Sequence, residues 1–291
     1  MKLVLGAVQF GVSYGVSNTY GKTTAQQTSE ILNYAWRSGI DTIDTASNYG
    51  DSERVIGRLI GKNKWNIVTK TPNFDNQQDI EGWLNSINIS LENSLDSLNR
   101  DSIHALLVHS ANDLLDSKGF QLFDFIKQLK ESGFVKKIGV SVYTHEQIDY
   151  ILDNYEIDII QLPINILDQR LIKSGHLKKI KQYGIEIHAR SVFLQGLLLM
   201  PLHTLPPYFS KVYDNLERFL MRSHKQSLSN IELALGFVQS IDEIDKVVVG
   251  VNTVDQLIEI IEASKTKINH KEYCDLSLSD TSYLDPSNWK L

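Results

Sequence analysis

Cysteine is almost missing. The 291 residues hold one, Cys274, so no internal disulfide can form and no cysteine-based metal site can be built. A basic excess is missing too: 29 Lys and Arg stand against 35 Asp and Glu, a formal charge of −6. That balance offers no electrostatic footprint for nucleic acid or for an anionic membrane surface. No apolar run approaches the roughly 20 residues of a membrane span. The opening "MKLVLGAVQFG" is short, is broken by glycine and lacks a signal-peptide cleavage pattern. The eight histidines show no ligand spacing, so no metal site is predicted. What these absences leave is a cytoplasmic protein with neither nucleic acid nor membrane as partner.

What is present is a repeated theme: a short strand-like run, a polar turn, then a segment of helical period. Strands are predicted at 3–6, 41–44, 66–70, 103–109, 136–140, 157–161, 185–190 and 246–250. Helices are expected between them, among others at 24–39, 79–99, 119–133 and 253–264, the first with Thr24 as its N-cap and Gly39 as its stop. Eight such units argue for one parallel eight-stranded (β/α)8 TIM barrel spanning 1–291. The competitor, an open doubly wound sheet, wants G-x-G-x-x-G after the first strand, and "LGAVQFGVSYG" has its glycines at other spacings. Two stretches stand outside the alternation. Residues 197–227 contain three of the six prolines and are expected to form a long loop region shaping a pocket, and the tail from about 265 reads as irregular.

In a barrel, polar side chains at the C-terminal ends of strands are the ones placed for chemistry. Asp44, Lys70 and His109 stand at three such ends, and Tyr49 follows the second strand. Strand alternation puts Asp44 with Thr42, Lys70 with Val68, and His109 with Ala105 and Leu107, all aimed inward. A buried Asp and a buried Lys are each costly alone, so the two should pair. An ammonium beside a phenol favours the phenolate, which makes the phenol a better proton donor to a carbonyl oxygen becoming an alkoxide. His109 would fix that carbonyl by a hydrogen bond.

The segments "DTIDTASNYGDSE", "IVTK" and "LLVHS", in this order and each at the end of the expected strand, resemble the aldo-keto reductase superfamily across nearly the whole chain. The resemblance implies a nicotinamide cofactor, NADP or NAD, and reduction of an aldehyde or ketone, or the reverse. It makes Asp44, Tyr49, Lys70 and His109 a catalytic tetrad with Tyr49 as the general acid. It also places Ser141, Gln161, Arg190, Ser191, Gly250, Asn252, Thr253 and Gln256 at the cofactor. Three positions depart from the family pattern. Val142 stands where an Asn would help hold the carboxamide. Arg190 stands where an aromatic would stack on the nicotinamide; it can lie on a ring, reach a phosphate or carboxylate of cofactor or substrate, or join a salt bridge in the barrel rim. The basic clamp for a 2′-phosphate is absent from "GVNTVDQL", which weakens the family default of NADPH and brings NADH or dual use into view. Asp168 and Arg170 would either pair with each other or approach the site. The substrate expected is a small carbonyl compound, in one reading a sugar or an anionic or phosphorylated one. The rival functions are a non-catalytic nicotinamide-binding sensor and an epimerase or lyase using the same cofactor. A metal-dependent hydrolase would want His-x-His after the first strand, and none is there.

Overall fold

Alternation along the short strands decides which side chains enter the barrel. The computed structural model describes residues 1–74 and 79–290. Its strands are β1 (Leu3–Gly6), β2 (Thr42–Asp44), β3 (Asn66–Lys70), β4 (Ile103–Val108), β5 (Val135–Ser141), β6 (Ile159–Pro163), β7 (Glu186–Arg190) and β8 (Lys246–Gly250). All pair in parallel with their sequence neighbours, and β8 closes on β1. Val68, Ala105, Leu107 and Ile159 form a small buried cluster of their own inside the barrel. The larger apolar core lies between strands and surrounding helices. The inward set therefore continues to Lys70 on β3 and Gln161 on β6, as period-2 alternation requires.

The closed end of the barrel is charged. Lys137 and His188 both donate to Glu186. The hydrogen bond from His188 holds the Glu186 carboxyl down at about 2, against the cost of burial and with help from Lys137. Charge at the N-terminal ends of barrel strands serves stability rather than chemistry.

Sequence and structure part company at three places. β6 begins two residues later than expected and runs on to Pro163, where a strand end needs no further ladder N–H. Residues 197–227 are not one open loop: after 3₁₀ turns at Leu202–Thr204 and Pro207–Val212, Tyr213–Lys225 is an α-helix burying Leu216 and Phe219. Of that stretch only Leu199 lines the large pocket described below. The tail holds a 3₁₀ segment, His270–Leu276, and one helical turn, Thr281–Leu284, which bury Tyr273, Leu276, Tyr283 and Leu284. Thr24 caps the helix Ala25–Arg37, its hydroxyl accepting from the Gln27 amide at 3.2 Å.

One buried acid lies outside the barrel wall. Glu53, on the helix Ser52–Leu59, accepts from Thr69 of β3 at 2.5 Å and from Ser94 of the helix Ile80–Leu98 at 2.8 Å. Burial raises its pKa against those two hydrogen bonds. It ties both helices to the strand that carries Lys70.

Candidate active site

Asp44 and Tyr49 are five residues apart because the turn between them is folded back onto the β1 loop. Tyr49 N–H closes on the Ala46 carbonyl at 3.0 Å, and Ser52 reaches the Ala7 carbonyl at 2.8 Å. The backbones of Gly11 and Tyr49–Gly50 touch: a Cβ on Gly11 would stand 1.6 Å from the Tyr49 carbonyl oxygen. Gly50 takes φ +59°, a left-handed conformation that side chains rarely adopt. The Tyr49 ring is thereby held over the barrel mouth.

Below it lies a buried ion pair. Lys70 Nζ is 2.6 Å from Asp44 Oδ1 and donates to the Thr45 carbonyl at 2.8 Å. Burial alone would favour the neutral amine. The Asp44 carboxylate and then the Tyr49 hydroxyl more than offset this, and the pKa of Lys70 is raised above the ordinary lysine value. The second Asp44 oxygen accepts from the Gln161 amide at 2.7 Å. Gln161, expected at the nicotinamide carboxamide, thus spends one N–H on the tetrad while its carbonyl oxygen makes no hydrogen bond to the described residues. The Lys70 ammonium lies 5.2 Å from the centre of the Tyr49 ring. The His109 ring meets Tyr49 edge-on with centroids 6.2 Å apart.

His109 is a neutral imidazole. Burial first, then the nearby Lys70 ammonium, push its pKa down to about 4. Its buried Nδ1 has no hydrogen-bond partner among the described residues. A consequence for stability follows from linkage. Between pH 6.5 and 4 the unfolded chain takes up a proton that the folded site refuses, so stability falls as pH falls through that window. The expected loss reaches up to about 3 kcal/mol at pH 4, from about 1.4 kcal/mol per unit. Urea unfolding at pH 7, 5.5 and 4.5 checks it: His109→Gln should show a flatter dependence than the parent, and parallel curves would place His109 in a solvated setting.

These four residues line one pocket of about 760 Å³ together with Ser141, Gln161, Arg190, Ser191, Gly250, Asn252 and Gln256. Of the predicted cofactor residues, Thr253 alone is not on the pocket wall. It caps the helix Val254–Ala263, accepting from the Gln256 amide at 3.2 Å. The Gln256 side chain in turn accepts from the Asn252 amide at 2.7 Å, and Asn252 Nδ2 reaches the Gly21 carbonyl and Thr23 hydroxyl. The Arg190 guanidinium lies 4.1 Å over the Tyr143 ring and donates to the Val142 carbonyl at 3.2 Å and to the Ser191 hydroxyl at 3.4 Å. Asp168 and Arg170 pair with each other, at 2.8 and 2.7 Å, away from the pocket wall.

Several wall residues carry no signal of their own in the sequence. Gln9 is buried, its Oε1 has no partner among the described residues, and its amide occupies the space a Cβ on Gly250 would fill, at 2.6 Å. Tyr14 of the β1 loop, Tyr143 after β5 and Glu259 of the helix Val254–Ala263 line the same pocket. Their place in βα loops at the C-terminal face is the one cue that points to the two tyrosines.

The fold is that of a (β/α)8 oxidoreductase. The chain matches the Aldo/keto reductase family over residues 2–277 and belongs to it. It is therefore an NAD(P)-dependent oxidoreductase of a family that acts on carbonyl compounds. It is similar to the oxidoreductase YqkF of Bacillus subtilis, 24% identical over 262 residues that cover 84% of each chain. It is also similar to L-galactose dehydrogenase of Arabidopsis thaliana, 24% identical over 278 residues, 90% of this chain and 85% of that one. Among solved structures, the holo form of aldo-keto reductase AKR11C1 from Bacillus halodurans superposes with a TM-score of 0.79 at 22% identity, covering 99% of this chain and 95% of that one.

Proposed function

We propose that the protein reduces the carbonyl group of a small polar, sugar-like aldehyde or ketone, with Tyr49 as the proton donor. The observation that carries this reading is the convergence of a buried Asp44–Lys70 pair, the Tyr49 ring and a neutral His109 in one pocket. His109, uncharged near neutral pH, offers a hydrogen bond to the carbonyl oxygen without competing for its proton. Tyr49 then delivers its hydroxyl proton to that oxygen as charge develops, and the Lys70 ammonium stabilises the phenolate left behind. Asp44 keeps the ammonium in place, and Gln161 keeps Asp44 in place. Asn18, Asn48 and Gln195 on the wall suit a substrate bearing hydroxyls.

When bound, a reduced nicotinamide supplies the hydride for the carbonyl carbon. The groove fits a dinucleotide in three respects. Its volume is ample, the orphaned Gln9 oxygen wants a donor beside Gly250, and the Gln161 oxygen beside Ser141 is open to an amide N–H. Ser141 and Gln161 would hold the carboxamide end, and Ser191, Gly250, Asn252 and Gln256 the remainder. The charged wall residue on the helix after β8 is Glu259, and the basic wall residues, Lys70, His109 and Arg190, come from β3, the residue after β4, and β7. A carboxylate accepts from a ribose hydroxyl and repels a 2′-phosphate, so NADH is the favoured cofactor. Parallel fluorescence titrations with NADH and NADPH, followed by reduction assays on a panel of hydroxyaldehydes, test both statements. Tighter NADH binding with turnover is expected; binding of neither by the folded protein would overturn the reading.

A further inference from the structure

Arg190 is the one wall residue whose charge is left uncompensated near the tetrad. Asp44 and Lys70 cancel each other, and His109 is neutral. No carboxylate among the described residues pairs with the Arg190 guanidinium, which instead rests on the Tyr143 ring and binds one backbone carbonyl and one hydroxyl. A guanidinium has five N–H donors. Two are used here, which leaves three without a protein partner among the described residues.

The residue is also held rigidly. The chain turns sharply directly after it, with Ser191 at φ +61°, and Asn165 clamps the Ser191 carbonyl at 3.1 Å. A non-glycine residue in that conformation is strained and persists where its surroundings enforce it. The Tyr143 ring, 4.1 Å from the guanidinium carbon, supports the fork from one side. Arg190 acts electrostatically on the reacting end of the pocket, since its charge is among the causes that lower the proton affinity of His109.

We propose that Arg190 is the seat for an anionic group on the substrate, so that the carbonyl compound reduced at Tyr49 carries a carboxylate or a phosphate. The proposal rests on the reading of Tyr49 and His109 as the carbonyl site and adds the class of substrate. A planar fork with unused donors matches either oxyanion by paired, charge-assisted hydrogen bonds. The competing source of an oxyanion is the diphosphate of the cofactor, and the experiment separates the two.

Steady-state kinetics with matched pairs read the seat directly: glyceraldehyde against glyceraldehyde 3-phosphate, and butanal against succinic semialdehyde. The wild-type protein is expected to favour the anionic member of at least one pair by about a hundredfold in kcat/KM. Arg190→Gln should shrink that preference to a few-fold, chiefly through KM of the anionic member. Arg190→Lys, which keeps the charge and loses the fork, should fall between them. Equal use of charged and neutral members by the wild type overturns the proposal. So does a loss in Arg190→Gln that falls on the cofactor dissociation constant, which would assign the fork to the diphosphate. Calorimetric titration of the cofactor-saturated protein with inorganic phosphate needs no turnover. Binding that disappears in Arg190→Gln supports the seat, and equal binding in both proteins overturns it. Absence of turnover with every carbonyl, alongside phosphate binding that depends on Arg190, would instead count against the Tyr49 reading and leave the anion seat standing.

Discussion

Tyr49→Phe should lower the rate of carbonyl reduction by about a thousandfold while cofactor affinity changes less than threefold, within the range a positioned acid supplies. The substitution removes one hydroxyl and little else. The ring remains to meet His109 edge-on and to lie beside the Lys70 ammonium, so the wall of the pocket keeps its shape. Lys70 loses one of two groups that hold its proton and keeps the larger, Asp44. The alternative proton source is His109. With its pKa near 4, about one molecule in a thousand carries the imidazolium at pH 7. That population is too small for an efficient acid, and it predicts a signature: a rate resting on His109 would rise tenfold for each unit of falling pH above its pKa. Stopped-flow single turnovers of the parent and of Tyr49→Phe between pH 5 and 8 distinguish the two. A parent rate that climbs tenfold per unit toward acid, or a Tyr49→Phe variant as fast as the parent, would transfer the role away from Tyr49.

That Asp44, Tyr49, Lys70 and His109 meet at one pocket is legible in the sequence for a simple reason. Strand alternation is local, and the inward parity of Asp44, Lys70 and His109 follows from counting by twos along three strands. The cost of burying isolated charge then joined Asp44 to Lys70, which the 2.6 Å contact realises. What stayed hidden depends on contacts between segments far apart in the chain. Gln161 meets Asp44 across 117 positions, a pairing that exists only once the barrel has closed. Arg190 finds the Val142 carbonyl, 48 positions away and just past β5, and the Tyr143 ring beside it. Gln9 carries no cue except its position after β1; only the packed β1–β8 seam sets it against Gly250. The helix Tyr213–Lys225 was masked for a different reason: the prolines before it suggest a loop, and its apolar face is narrow, with Leu216 and Phe219 as its buried hydrophobic residues.

Lys70→Met should destabilise the fold by about 3–5 kcal/mol, the cost of leaving one partner of a buried ion pair alone. The ammonium is 2% exposed and the carboxylate 6%, so neither can turn to water for compensation. Without Lys70, the Asp44 carboxylate keeps, among the described residues, only the Gln161 amide. Asp44→Asn leaves the opposite orphan, an ammonium with no counter-charge, held by neutral acceptors such as the Thr45 carbonyl at 2.8 Å. Each single variant should therefore melt well below the parent, by roughly 10 °C for a chain of this size. The double variant Asp44→Asn/Lys70→Met removes both charges, and its loss should be smaller than the sum of the two, because neither orphan remains. Activity should not follow stability back. The phenolate formed at Tyr49 would have no ammonium beside it in the double variant, so turnover should stay as low as in Lys70→Met alone. Denaturant unfolding and turnover measured on the four proteins separate the two roles of the pair. Additive stability losses would mean the charges are not buried together. Recovered turnover in the double variant would mean that Lys70 only props the barrel mouth and takes no part in the proton transfer.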